Sequence, residues 1–191
     1  YQQAVERGII ELAAALGGRV MVLFTSYAQL RQTAQAITPR LALGNIVIFD
    51  QSDGSSRQAL LEGFKNTPRA ILLGTRSFWE GVDIPGEALS ALVIVRLPFT
   101  APNEPIFAAR SEMYTDSFNT FALPDAILRF RQGFGRLIRT STDRGIVAIF
   151  DNRVITKGYG ESFLTALPDA AVMRAPLATL PTAAADWLTK R

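Results

Sequence analysis

The stretch LPDAILRFRQGFGRLIRTSTDRGIVAIFD, Leu123 to Asp151, runs from a helical pattern into an apolar strand, and its spacing asks for a chemical explanation. Wound at about 100° per residue, Ile127, Phe130, Phe134, Leu137 and Ile138 share one side of a helix, with Arg129, Gln132, Arg136 and Arg139 in a narrow arc opposite. One side is core; the other is three guanidiniums and an amide, flanked by Gly133 and Gly135. A glycine inside a helix costs roughly 1 kcal/mol relative to alanine, so two of them predict that something approaches the backbone closely. The arginine row reads as having no i, i+4 carboxylate partner, and like charges at that spacing repel by about 0.2–0.5 kcal/mol. An anion answers both features, because arginine is always charged and offers a rigid fork of donors to phosphate oxygens. A merely solvated face is the plain alternative. The dinucleotide fingerprint GxGxxG fails here, since position 138 is Ile and the triplet lies within a helical pattern instead of after a strand.

Outward from that segment the chain alternates strands and helices. Gln2–Leu16 has helical spacing and stops at Gly17-Gly18; Arg19–Phe24, Asn45–Phe49, Ala70–Leu73, Leu89–Val95 and Ile146–Phe150 are short apolar runs that read as buried strands. Between them, Ala28–Ile37 reads as a helix broken by Pro39, Arg57–Lys65 as a second, and Ile106–Phe118 as an amphipathic helix leading into the arginine helix. Tyr159–Leu167 and Thr182–Lys190 read as two short closing helices. Strands separated by helices indicate βαβ units, hence an α/β domain with a mostly parallel sheet covered on both faces. The 191 residues fit one domain, with residues 1–18 as its leading helix and 169–191 as its closing tail.

Composition narrows the chemistry. The chain has no cysteine and no histidine, which removes disulfides, thiol nucleophiles, imidazole acid–base work and zinc or iron–sulfur ligation. Net charge is only +3, so local clustering matters more than the sum. No apolar run approaches the roughly 20 residues of a membrane span, and a soluble, cytoplasmic protein is expected. With Tyr1 in place of Met, a piece of a longer protein is expected.

In open α/β sheets ligands bind outside the carboxyl ends of the strands. Three polar clusters fall there: Thr25-Ser26-Tyr27, Asp50-Gln51-Ser52-Asp53, and Gly74 to Asp83, GTRSFWEGVD. Thr25-Ser26-Tyr27 can cap the next helix and offer an anion site at the same time. Gly74–Asp83 supplies backbone N–H groups and hydroxyls for phosphates and a carboxylate for a sugar hydroxyl. Phe78 and Trp79 could stack on bases, but burial under the sheet is the better reading. Asp50, Asp53, Glu80, Asp83, Asp143 and Asp151 are too scattered to argue for a two-metal centre. GxxxxGK[ST] occurs nowhere, so phosphate-directed arginines without a phosphate-binding loop look like half of a site.

Gln132-Gly133-Phe134-Gly135-Arg136-Leu137-Ile138-Arg139 resembles motif VI, QxxGRxxR, of superfamily 2 helicases. Phe24-Thr25-Ser26-Tyr27 is similar to motif IV, and Gly74-Thr75 through Glu80-Gly81-Val82-Asp83 to motif V of DinG-like proteins. Leu97-Pro98-Phe99 with Pro102 and Pro105, Leu123-Pro124, Asp143-Arg144-Gly145, Asp151-Asn152-Arg153 and Tyr159-Gly160 through Leu167-Pro168 follow in that family's order. The resemblance implies the second RecA-like motor domain of a DinG/XPD-type DNA helicase. It implies ATP with Mg²⁺, shared with a first motor domain upstream that would also carry any iron–sulfur cluster; no metal is ligated by this chain. Arg136 and Arg139 are implied as arginine fingers supported by Gln132, with Gly135, Glu80, Gly81 and Asp83 on the nucleotide side. Thr25, Ser26, Tyr27, Thr75, Arg76 and Ser77 are implied to hold a single-stranded DNA backbone, and translocation to run 5′ to 3′. A RecA-like module that binds single strands or a partner without taking part in hydrolysis is the alternative.

Overall fold

The computed structural model describes residues 1–79, 84, 88–135, 137–138, 143–168 and 170–189. Five strands, β1 (Val20–Leu23), β2 (Val47–Asp50), β3 (Ala70–Gly74), β4 (Ala91–Ile94) and β5 (Ile146–Ile149), form one sheet. Its order is β2-β3-β1-β4-β5 and every pairing is parallel. The helices are α1 (Gln2–Leu16), α2 (Tyr27–Leu43), α3 (Arg57–Asn66), α4 (Arg76–Trp79), α5 (Pro105–Ser111), α6 (Leu123–Phe134), α7 (Arg153–Thr156), α8 (Gly160–Thr165) and α9 (Leu180–Thr189).

Successive strand residues point to opposite faces, and the two faces have separate cores. Val20 and Val22 of β1 pack with Ile9 and Leu12 of α1, Leu30 and Ile37 of α2 and Ala184 of α9. Met21 and Leu23 pack with Phe64 of α3, Phe78 of α4, Phe130 of α6 and Phe163 of α8. Coverage on both sides is why β1, β3 and β4 are buried at every position and read as unbroken apolar runs. Each fully buried Phe or Leu contributes roughly 1.5–3 kcal/mol, so these two layers hold the loop-bearing edge in place. The expected RecA-like αβα sandwich is the observed architecture.

Three helix expectations change. The helix after β1 does not break at Pro39: α2 runs to Leu43, with Pro39 on its solvent face and Ile37 and Leu41 anchored in the core on either side. Gln35, whose carbonyl the proline leaves without its helical donor, is itself an exposed residue, which lowers the usual cost. The predicted helix 106–118 ends at Ser111; the chain then passes through a π-helical turn, Phe118–Ala122, into α6. Asp116 takes the Asn119 N–H at 3.1 Å, a local bond that competes with continuing the helix.

The arginine helix α6 stops at Phe134, where the Gly135 N–H closes on the Arg131 carbonyl at 2.9 Å. Leu137 and Ile138 therefore do not extend its apolar stripe, although Leu137 is buried by a different route, against Gly145. Among the described residues no helix is long and apolar enough to cross a membrane.

Candidate functional site

β1 lies between β3 and β4, and its connection leaves toward the α1/α2/α9 face while those of β3 and β4 leave toward the other. Connections that part in opposite directions open a crevice at the carboxyl end of β1, the place where such sheets bind ligands. Thr25, Ser26 and Tyr27 leave β1 there, all exposed. Ser26 is the N-cap of α2, its Oγ accepting the Gln29 N–H at 3.3 Å, so its own proton can still be donated outward.

The loops after β2 and β3 meet beside it. Oε1 of Gln51 accepts from both the N–H of Thr75, at 2.6 Å, and its hydroxyl, at 2.7 Å. Nε2 of Gln51 donates to Ser77 Oγ at 2.9 Å, and the Tyr27 hydroxyl reaches the Gln51 carbonyl at 3.4 Å. Arg57, from the first turn of α3, donates to the Ser77 carbonyl at 3.0 Å. Nη1 of Arg76 donates to both carboxylate oxygens of Glu104, at 2.8 and 2.9 Å; the pair is exposed, worth at most about 1 kcal/mol, and can open. Phe78 and Trp79 turn under the sheet and are buried, as expected for core, with the indole N–H directed to the Phe24 carbonyl at 3.4 Å.

That indole also fixes the end of α6. A Cβ on Gly133 would stand 2.8 Å from Trp79 Cε3 and 2.9 Å from Cζ3, so this glycine is required by Trp79 and not by an approaching anion. Gly135 differs: an added Cβ there meets nothing closer than 3.5 Å. The reading of a bare arginine row also needs correction, because Arg129 is half-buried and pairs with Asp125 at 3.0 Å, one turn earlier. Gln132 sits half-buried in the last turn of α6. Glu80, Gly81, Asp83, Arg136 and Arg139 lie outside the described residues.

On the β4–β5 side, Asp151 is 5% exposed and takes the Leu97 N–H at 2.9 Å and the Arg153 N–H at 3.0 Å, besides the Arg153 guanidinium at 2.6 Å. Burial pushes its carboxyl up, but the Arg153 side chain and the two backbone N–H groups outweigh that and hold it below the ordinary carboxylate value. It is a structural brace between two loop ends. Beyond β5, α9 reaches back to the segment that follows the arginine octet: Arg144 donates to the Trp187 carbonyl at 3.0 Å and lies over its ring at 5.6 Å. Among the described residues no group of three or more His, Cys, Asp or Glu could hold a metal ion.

Sequence reasoning brought Thr25, Ser26, Tyr27, Thr75, Arg76 and Ser77 to one edge, and the structure gathers them there; Gln51 was placed at that edge too, but not as the link between its loops. Glutamine has no turn signature of the kind that marks Gly, Asp or Ser, and nothing in a loop reading shows which residue will bridge two loops.

Residues 9–170 match the family described as Helicase C-terminal domain. The chain is 43% identical to the 3′-5′ exonuclease DinG of Bacillus subtilis over 90% of its own length and 19% of the relative's. It is 42% identical to the ATP-dependent DNA helicase YoaA of Haemophilus influenzae over 87% of its own length and 26% of that protein. Among solved structures an XPD helicase superposes with a TM-score of 0.68 at 20% identity, covering 86% of this chain and 30% of that one, which speaks for the fold. The chain thus spans about a fifth to a quarter of its curated relatives, and it belongs to the helicase C-terminal domain family.

Proposed function

We propose that this chain works as the second motor domain of an ATP-dependent DNA helicase. Its crevice at β1 would hold a single-stranded DNA backbone through Thr25, Ser26, Tyr27, Thr75, Arg76 and Ser77, largely without reading sequence. The segment after α6 would face ATP, held with its Mg²⁺ mainly by a first motor domain of the same polypeptide. Arg136 and Arg139 would meet charge that develops on the transferred phosphoryl group, with Gln132 supporting them and Gly135, Glu80, Gly81 and Asp83 on the nucleotide side. Opening and closing of the cleft between the two domains would then advance the protein along the strand, 5′ to 3′.

The observation that carries this reading is the contact between Gly133 and Trp79. It ties the end of α6, from which the octet's arginines follow in sequence, to the loop that carries Thr75 and Ser77. A shift at the phosphate-facing end would reach the strand-facing loop through packed side chains.

The test uses the full-length protein that carries this chain. Arg139→Ala should lower ATP hydrolysis by about 10³-fold or more while single-stranded DNA affinity stays within about twofold of wild type. Unchanged hydrolysis would favour the module that binds without hydrolysing. Equal loss of both activities would mean that the helix end had misfolded.

A further inference from the structure

Gln51 has no part in the reading above, yet the loops after β1, β2 and β3 are joined through it. We infer that Gln51 is a positioning residue for strand binding: its carboxamide draws both donors of Thr75 inward and turns the Ser77 hydroxyl proton outward, toward a DNA phosphate. The inference rests on the motor-domain reading and divides the labour within it.

Hydrogen-bond chemistry fixes the orientation. A backbone N–H can only donate, so the Gln51 atom 2.6 Å from Thr75 N must be the carbonyl oxygen, and the amide cannot be flipped. Nε2 then faces Ser77 Oγ at 2.9 Å and donates to it. A hydroxyl that accepts in one direction gives its own proton in another, and Ser77 is exposed. Its main chain is held as well, through the Arg57 guanidinium on its carbonyl. Thr75 spends its N–H and hydroxyl on Oε1, so its share in holding the strand is to fix this loop through Gln51 and not to donate to a phosphate itself. Gln51 is itself steadied from below: Asp50 Oδ1 takes the Ser52 N–H at 2.7 Å and the Ser52 hydroxyl, shaping the 3₁₀ turn Gln51–Asp53.

The experiment measures DNA-stimulated ATP hydrolysis of the full-length protein with an oligothymidylate, reading the DNA concentration at half-maximal stimulation and the turnover at saturation. Gln51→Ala should raise the first about tenfold, the loss of one to two hydrogen bonds, and leave the second within about twofold. Thr75→Ala should raise the half-maximal DNA concentration to a similar degree, and the double variant should raise it no further than either single one, because both act through one link. Gln51→Glu still accepts from Thr75 but draws the Ser77 proton inward and adds a negative charge, so it should bind DNA at least as weakly as the alanine variant. Tighter binding by Gln51→Ala would overturn the inference by showing that the carboxamide stands where a phosphate belongs. Additive effects of the two alanines, or a fall in turnover matching the fall in affinity, would also overturn it. If Ser77→Ala weakens binding and Gln51→Ala does not, this inference fails and the motor reading stands. If the wild-type protein shows no DNA-stimulated hydrolysis, both fail.

Discussion

Asp151 was counted among scattered carboxylates, and its surroundings give it a purely mechanical task. It is buried, paired with Arg153 and bonded to the Leu97 N–H, so removing its charge strands a guanidinium and weakens a loop anchor. Asp151→Ala should cost about 3 kcal/mol, a loss typical of a partly desolvated charged hydrogen bond. The pH dependence follows from the direction of its titration. Its folded-state value is depressed, so its stabilisation is fully present above the unfolded carboxylate value of about 3.9 and is lost as pH falls through the lower folded value. Denaturant midpoints of wild type and Asp151→Asn should therefore differ at pH 7, begin to approach each other below about pH 4, and converge only once pH is below the depressed folded value. A constant gap across that range would show that the carboxylate's charge contributes nothing.

At the scale of elements, strands were more legible than helices, for a physical reason. A parallel strand covered on both faces has to be apolar at consecutive positions, and VMVL in β1 and AILLG in β3 leave no other reading. Helix ends depend on what the neighbours do. α2 survives Pro39 because Leu41 beyond it finds the core, and α6 ends at Phe134 although Leu137 and Ile138 keep the apolar rhythm. The glycines of the octet were read as a sign of an anion, and Gly133 has a packing reason that only Trp79, over fifty residues earlier, reveals. Gly133→Ala decides between the two. A helix-interior alanine gains roughly 1 kcal/mol in propensity, but a Cβ forced within 3 Å of the buried indole costs about 1–3 kcal/mol of overpacking. The melting temperature should fall for Gly133→Ala and hold for Gly135→Ala, where the added methyl has room. A higher melting temperature for Gly133→Ala would return that residue to the phosphate reading.

For the whole molecule, the strand order puts the crevice proposed to hold DNA at the carboxyl end of β1, yet the 191 residues contain no GxxxxGK[ST] loop. An arginine finger lowers a barrier only for a nucleotide already held in line by other groups. Guanidiniums alone, facing solvent, bind triphosphate weakly and orient neither water nor γ-phosphate. The domain nonetheless has an apolar layer on each face of its sheet, so it should fold without a partner. The purified chain is therefore expected to melt cooperatively and to turn over ATP no faster than buffer, with or without single-stranded DNA. Joined in one polypeptide to a domain that supplies the phosphate-binding loop, it should become an ATPase whose rate rises with DNA. A turnover near 1 s⁻¹, at the low end of ordinary enzymes, from the isolated chain would mean that it holds a whole nucleotide site, and the division of labour between two domains would have to be given up.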